Sequence, residues 1–188
     1  MGSSSIDLSL SNIWKSWFKF KKGKKLTQEL QRFNYYLEES LFALYHKLND
    51  GSYRHGGYRK FITTDSKRRE ISVASIKDRV VHRLLHEYLA EIYDKTLIFD
   101  VWSCRKNKGL LTAVQRTQKF LNKYKNCFVW RADVKKFFDN INQRRLTEIL
   151  SIRISDKKAE YLLKEIIDSY SCGVNRERER ERDGLRHP

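Results

Sequence analysis

The chain has 188 residues, a mass of 22.6 kDa and 40% hydrophobic residues, which suits one domain or one and a half and excludes disorder throughout. Its formal net charge of +16 is uneven: residues 1–132 hold 26 Lys and Arg against 12 Asp and Glu, whereas residues 133–188 hold 13 against 11. Cations clustered in this way release counterions from a phosphate backbone, so the balance favours a nucleic-acid partner over a small acidic metabolite, with a generally basic surface as the plainer reading.

Residues 1–25 form a basic, aromatic N-terminal segment with a flexible start over residues 1–11. From Ile13 to Lys22, aromatics alternate with lysines. Trp14, Trp17 and Phe18 fit an amphipathic helix packed on a core, and they also fit a surface on which unpaired bases stack. Lys15, Lys19, Lys21 and Lys22 interrupt the apolar residues, so neither a signal peptide nor a membrane span is predicted. Cys104, Cys127 and Cys172 are odd in number and form no close pair, which points to a reducing, cytoplasmic setting. Leu30, Phe33, Leu37, Leu41, Leu44 and Leu48 recur at helical spacing, predicting one helix over 27–48 with Thr27 as its cap.

Gly51, Gly56 and Gly57 mark residues 50–60 as a loop or hairpin end, and Thr64-Asp65-Ser66 reads as a turn before a strand at 69–74. Ser75, with Asp78 three residues on, opens a helix whose apolar side runs from Val80 to Ile92. His82 and His86 lie four apart on that helix. They lack the glutamate of H-E-x-x-H and a third ligand, so they read as surface or packing histidines. A helix over 110–124 follows, then a strand at 128–134, then helices near 142–152 and 155–170 with Asn142 and Ser155 as candidate caps.

The strand at 128–134 carries the chemistry. Period-two alternation puts Phe128, Trp130, Ala132 and Val134 on one side, with Asp133 opposite them near the strand's end. A carboxylate aimed from a strand end can hold Mg²⁺ against phosphate oxygens, which is how phosphoryl transfer is positioned and neutralised. It can also be a plain exposed aspartate capping the next helix. Phe137 reads as core, and Asp139 reads as a turn residue in preference to a second metal ligand.

Three blocks in order, Lys67 to Val81, Ser103 to Gly109 and Trp130 to Ile141, resemble reverse transcriptases of the bacterial group II intron and retroelement lineages over about residues 50–170. The resemblance implies an α+β, helix-rich architecture of polymerase fingers (26–127) followed by a partial palm (128–172). It implies RNA-directed DNA synthesis on an RNA template and DNA primer, with two Mg²⁺ ions and an incoming deoxynucleotide. Asp133 would ligate metal, with the Val134 carbonyl as the other metal-facing group. Arg69, with Lys67 beside it, would grip the triphosphate, since a planar guanidinium meets phosphate oxygens bidentately. Phe138 would screen the sugar against a 2′-hydroxyl. Arg79 would hold the template strand or form an intrahelical ion pair, and Arg105, Lys106 and Lys108 would approach nucleic acid from a glycine-ended loop. Arg68 reads as a solvated charge.

Part of the pattern is missing. No Asp-Asp pair occurs anywhere in the chain, so the aromatic-x-Asp-Asp hairpin of the family has no counterpart. Residues 173–188 are a low-complexity tail predicted to be disordered, with Arg alternating with Glu or Asp from Arg176 to Asp183. The expectation is a truncated or frameshifted fragment, inactive alone. The alternative is a non-enzymatic RNA-binding module of the intron-maturase kind, which needs a basic surface but no complete metal site, with intron or retroelement RNA as its partner.

Overall fold

The computed structural model describes residues 5–64, 68–124 and 126–170. Seven α-helices and one hairpin follow in the order α1 (Leu10–Lys21), α2 (Gln28–Tyr35), α3 (Leu37–Asn49), β1 (Tyr58–Thr63), β2 (Arg69–Ala74), α4 (Ile76–Tyr93), α5 (Leu110–Lys123), α6 (Gln143–Ser151) and α7 (Lys157–Ser169). This is a helix-rich α+β chain. Among the described residues no helix is long and apolar enough to cross a membrane.

The core lies where α1 packs against α3 and α4, and α7 against α4. Ile13 and Trp17 of α1, Leu41 and Leu44 of α3, Val80, Val81 and Leu84 of α4, and Leu162 of α7 are each at most 2% exposed. These positions follow helical spacing, so each helix turns one largely apolar stripe inward, with Asp78 of α4 a buried exception. The aromatic-and-lysine segment therefore resolves as a packed helix. Trp17 is fully buried and stacks near Phe20 and Phe33, at 5.9 and 4.9 Å between ring centroids.

The expected flexible start is packed from Ile6 onward. Ile6 and Leu8 are buried, Ser9 caps α1 by accepting from the Asn12 amide at 3.3 Å, and the Ile6 amide donates to Asp156 at 2.9 Å. Asp156 also accepts from the amides of Lys158 and Ala159, at 2.7 and 3.1 Å, and so caps α7. Sequence reading placed that cap one residue earlier. A carboxylate offers several acceptor sites, so one side chain closes both the helix end and the N-terminal strap.

The single helix expected over 27–48 is two. Thr27 caps α2 as expected, accepting from the Leu30 amide at 3.3 Å, but Tyr36 leaves helical geometry at φ −99°, ψ 32°. The bend lets α2 lie on α4 while α3 lies on α1. The apolar spacing runs through the bend without a break, which is why it was invisible as a pattern. At 50–60 the expected loop already becomes strand at Tyr58, which pairs with Ala74 in an antiparallel register that ends at Thr63 opposite Arg69.

The strand expected at 128–134 does not form. Residues 126–137 are irregular, and Phe128, Trp130 and Val134 are 103, 88 and 63% exposed. Alternation alone cannot make a strand, because its backbone groups need a neighbour to pair with, and no described segment pairs with it. Phe137, expected in the core, is 52% exposed and meets Phe138 edge to face at 5.3 Å. Lys67 and the tail at 173–188 lie outside the described residues.

Candidate functional site

Local sequence builds a groove at one end of the hairpin. Gly57, Arg59 and Phe61 from the first strand and its approach, Val73 and Ala74 from the second, Ser75 and Arg79 at the start of α4, and Thr27 to Glu29 line an open space of about 810 Å³. Ser75 sets this corner by capping α4, accepting from the Asp78 amide at 3.2 Å, as the sequence predicts. The guanidinium of Arg79 lies 5.1 Å from the Phe20 ring centroid and 3.8 Å from Glu29 of α2. Its ion pair thus runs to another helix. Arg79 Nε is sealed from solvent without a hydrogen-bond partner. Arg59 lies over Phe61 at 5.7 Å, so two guanidiniums flank an apolar floor. Such a groove suits a phosphate chain with a flat base or sugar beside it.

The other expected site residues are dispersed. Arg69 is exposed at the far end of β2, five residues from Ala74 and so about 16 Å along the strand from the groove. Asp133 is exposed in the irregular segment, and among the described residues it has no hydrogen-bond or ion-pair partner. Phe138 is 83% exposed in a short 3₁₀ turn at Phe138–Asn140. The Asn140 side chain closes that turn by donating to the Lys136 carbonyl at 3.0 Å, with Lys136 itself in the left-handed region at φ 51°. No hydrogen bond or ion pair among the described residues joins Asp133 to Arg69.

The loop carrying Arg105, Lys106 and Lys108 is held from within. Arg105, 12% exposed, donates to the Asp94 carboxylate at 2.6 Å, the Asp94 carbonyl at 3.1 Å, and the carbonyls of Ile98 and Val101 at 3.0 and 3.3 Å. The hydrogen bond from Arg105 holds the Asp94 carboxyl below its ordinary range. Lys108 donates to the Phe99 carbonyl and sits 4.0 and 4.7 Å from the ring centroids of Phe99 and Trp102. Lys106 is exposed. Of the three cations, two therefore shape the loop and one faces outward.

A polar joint that sequence reading missed connects residues 53–57 to α4 and α7. Asp78, fully buried, accepts from the Tyr53 hydroxyl at 2.9 Å, the Gly56 amide at 3.2 Å and the Ser75 hydroxyl at 2.6 Å. Burial, then the neighbouring Asp78 charge, pushes the Tyr53 phenol far above its usual value. Glu165 of α7 accepts from the His55 amide at 3.2 Å, and Tyr161 donates to the Tyr53 carbonyl at 2.5 Å. His55 and His82 meet at 2.9 Å between their Nε2 atoms. Its spacing from Ser75 marks Asp78 as a capping partner, and the Gly- and Tyr-rich segment one loop upstream is the sequence signal for its second role.

Mg²⁺ binding calls for about six oxygens at near-octahedral positions, usually with one or two carboxylates and several waters. Asp133 supplies one carboxylate, and among the described residues no three His, Cys, Asp or Glu side chains converge on a possible metal. Asp133 alone does not make up a two-metal centre. Compared with known protein-family models and with curated proteins, the chain matches none.

Proposed function

We propose that this chain is the fingers and early palm portion of an RNA-directed DNA polymerase of the group II intron and retroelement type, inactive alone. The reading is carried by one observation: three motif blocks in order, with Arg69, Arg105 and Asp133-x-x-x-Phe137-Phe138 at their expected places. In it, Arg69 grips the triphosphate of an incoming deoxynucleotide, with Lys67 as neighbour. Phe138 screens the sugar, and Asp133 with the Val134 carbonyl forms one side of a metal centre. The groove of Arg59 and Arg79 holds the backbone of a template strand or primer–template duplex, and Lys106 contacts phosphate from the loop that Arg105 shapes. One exposed carboxylate does not by itself hold the pair of ions that the reaction uses.

A non-enzymatic RNA-binding module is the second reading, favoured by the paired arginines of the groove, which need no metal. A labelled DNA primer on an RNA template, supplied with Mg²⁺ and deoxynucleotides, tests the first. The chain alone leaves the primer unextended. Template-dependent extension that disappears in Asp133→Ala would show that the missing carboxylates are not needed. Genomic sequence downstream that encodes aromatic-x-Asp-Asp in another frame favours the polymerase reading, and an intact locus without it favours the binding module.

A further inference from the structure

The loop at residues 53–57 meets α4 through two imidazoles that take no part in the proposed polymerase chemistry. His55 Nδ1 lies 2.6 Å from the Gly56 carbonyl oxygen, and a carbonyl only accepts, so Nδ1 carries the hydrogen. A neutral imidazole has one N–H. His55 Nε2 is therefore a bare acceptor, and His82 Nε2, 2.9 Å away, must donate to it. The rings are 13° from parallel with centroids 5.0 Å apart, which sets the two nitrogens head to head. The gap between those nitrogens holds one hydrogen and no second.

We infer that His55 and His82 form a proton-operated latch that closes the β-hairpin onto α4 at neutral pH and releases it on acidification. The closed latch has one N–H···N bridge. Once opened, His82 is no longer buried against His55 and can take up a proton, so acid draws the equilibrium toward the open form. Burial, and then the proximity of His55, holds His82 down at about 4 in the closed form, which agrees with this direction.

The surroundings hold the latch without neutralising it. On α4, Asp78 and Arg79 flank His82, and His86 lies one turn on. On the loop side, Tyr58 stacks on His55 at 5.1 Å, beside Tyr53 and Arg54. From α7 come Tyr161, Lys164, Glu165 and Asp168. Asp78 favours an added proton on His82, whereas burial, His55 and Arg79 oppose it.

His55 lies three residues before β1, and Gly57 and Arg59 line the groove shared with Arg79. Opening the latch therefore loosens the wall of the anion groove as well as the hairpin, whichever nucleic acid the groove serves.

Amide hydrogen exchange on the full chain at pH 7.5 and 5.0, corrected for intrinsic chemistry, tests the latch. The open population over residues 58–63 and 69–74 should rise at least about tenfold, the scale expected when opening takes up one proton over a pH unit or more. Amides of α3 from Leu41 to Leu48 should change far less. In His82→Gln, whose amide can still donate but does not titrate, the hairpin response should fall below about twofold. Unchanged hairpin protection in the wild type, an equal rise in α3, or the same rise in His82→Gln would overturn the inference. Nitrogen-15 spectra of the wild type give a readout that needs no variant. At pH 7.5, His55 should carry its hydrogen on Nδ1 and His82 on Nε2, and the opposite tautomers or two charged rings would also overturn it.

Discussion

Asp78 has no water to fall back on, and that decides what its loss would do. Three donors converge on one fully buried carboxylate. In Asp78→Ala the Tyr53 hydroxyl and the Gly56 amide lose their acceptor, and leaving such groups unpaired costs ~3 kcal/mol. Urea denaturation should show a fall of that size at unchanged slope. Gly56 is tied to the same carboxylate for a steric reason: a Cβ there would lie 2.9 Å from Asp78 Oδ2. Gly56→Ala should therefore destabilise by about 1–3 kcal/mol, the range for overpacking a filled site, and the same denaturation series checks it. His82 adds a pH dependence whose sign is fixed. Its value is about 4 folded and about 6.5 in an unfolded chain, so the unfolded state binds more protons between those limits. Stability is full above about pH 6.5 and falls as pH drops toward about 4. His82→Gln should flatten that part of the urea-midpoint profile. Carboxylates such as Asp94, held low by the Arg105 hydrogen bond, act only at more acid pH.

The elements divide by what surrounds them. Helices with a steady apolar period were legible in sequence, whether on the core like α4 and α7 or exposed like α5: all three fall within two residues of their expected bounds, and Ser75, Thr27 and Asn142 cap as their types predict. Period and capping are local properties, so sequence carries them. The bend at Tyr36 and the absence of a strand at 128–134 depend on neighbours distant along the chain, which no local pattern reports. The site divides in the same way. The helix-start position of Arg79 was legible, but its pairing with Glu29 on α2 and the inward commitment of Arg105 were not, because a basic residue looks alike in sequence whether it meets phosphate or groups of its own chain. That commitment has a test. Cys104 and Asn107 hold left-handed backbone at φ 58° and 60° in the loop that Arg105 ties together. Arg105→Ala should make residues 97–109 the first site of limited proteolysis, with the unfolding midpoint of the α1–α4 core little changed. Cleavage no faster than in the wild type would show that Arg105 does not organise the loop.

For the whole molecule, basic charge should bind nucleic acid through the groove and Lys106. Each phosphate neutralised contributes a salt slope of about 0.9 on duplex B-DNA and about 0.7 on single strands. Fluorescence anisotropy over a salt series, on an RNA hairpin and on a primer–template duplex, should show affinity falling steeply with salt. Replacing Arg59, Arg79 and Lys106 together should lower both affinity and slope, whereas replacing Arg176, Arg178, Arg180 and Arg182 should matter less because alternating acids offset them. Salt-independent binding, or equal loss from both variants, would remove this surface from the account. Asp156 has a consequence of another kind, in the order of events during synthesis. It joins Ile6 to the start of α7 across 150 residues. Closing so long a loop is entropically expensive and slow, and nothing made earlier can substitute for it. A ribosome must release α7 before the N-terminal strap can settle, so until then α1 and α4 wait with one side of their core uncovered.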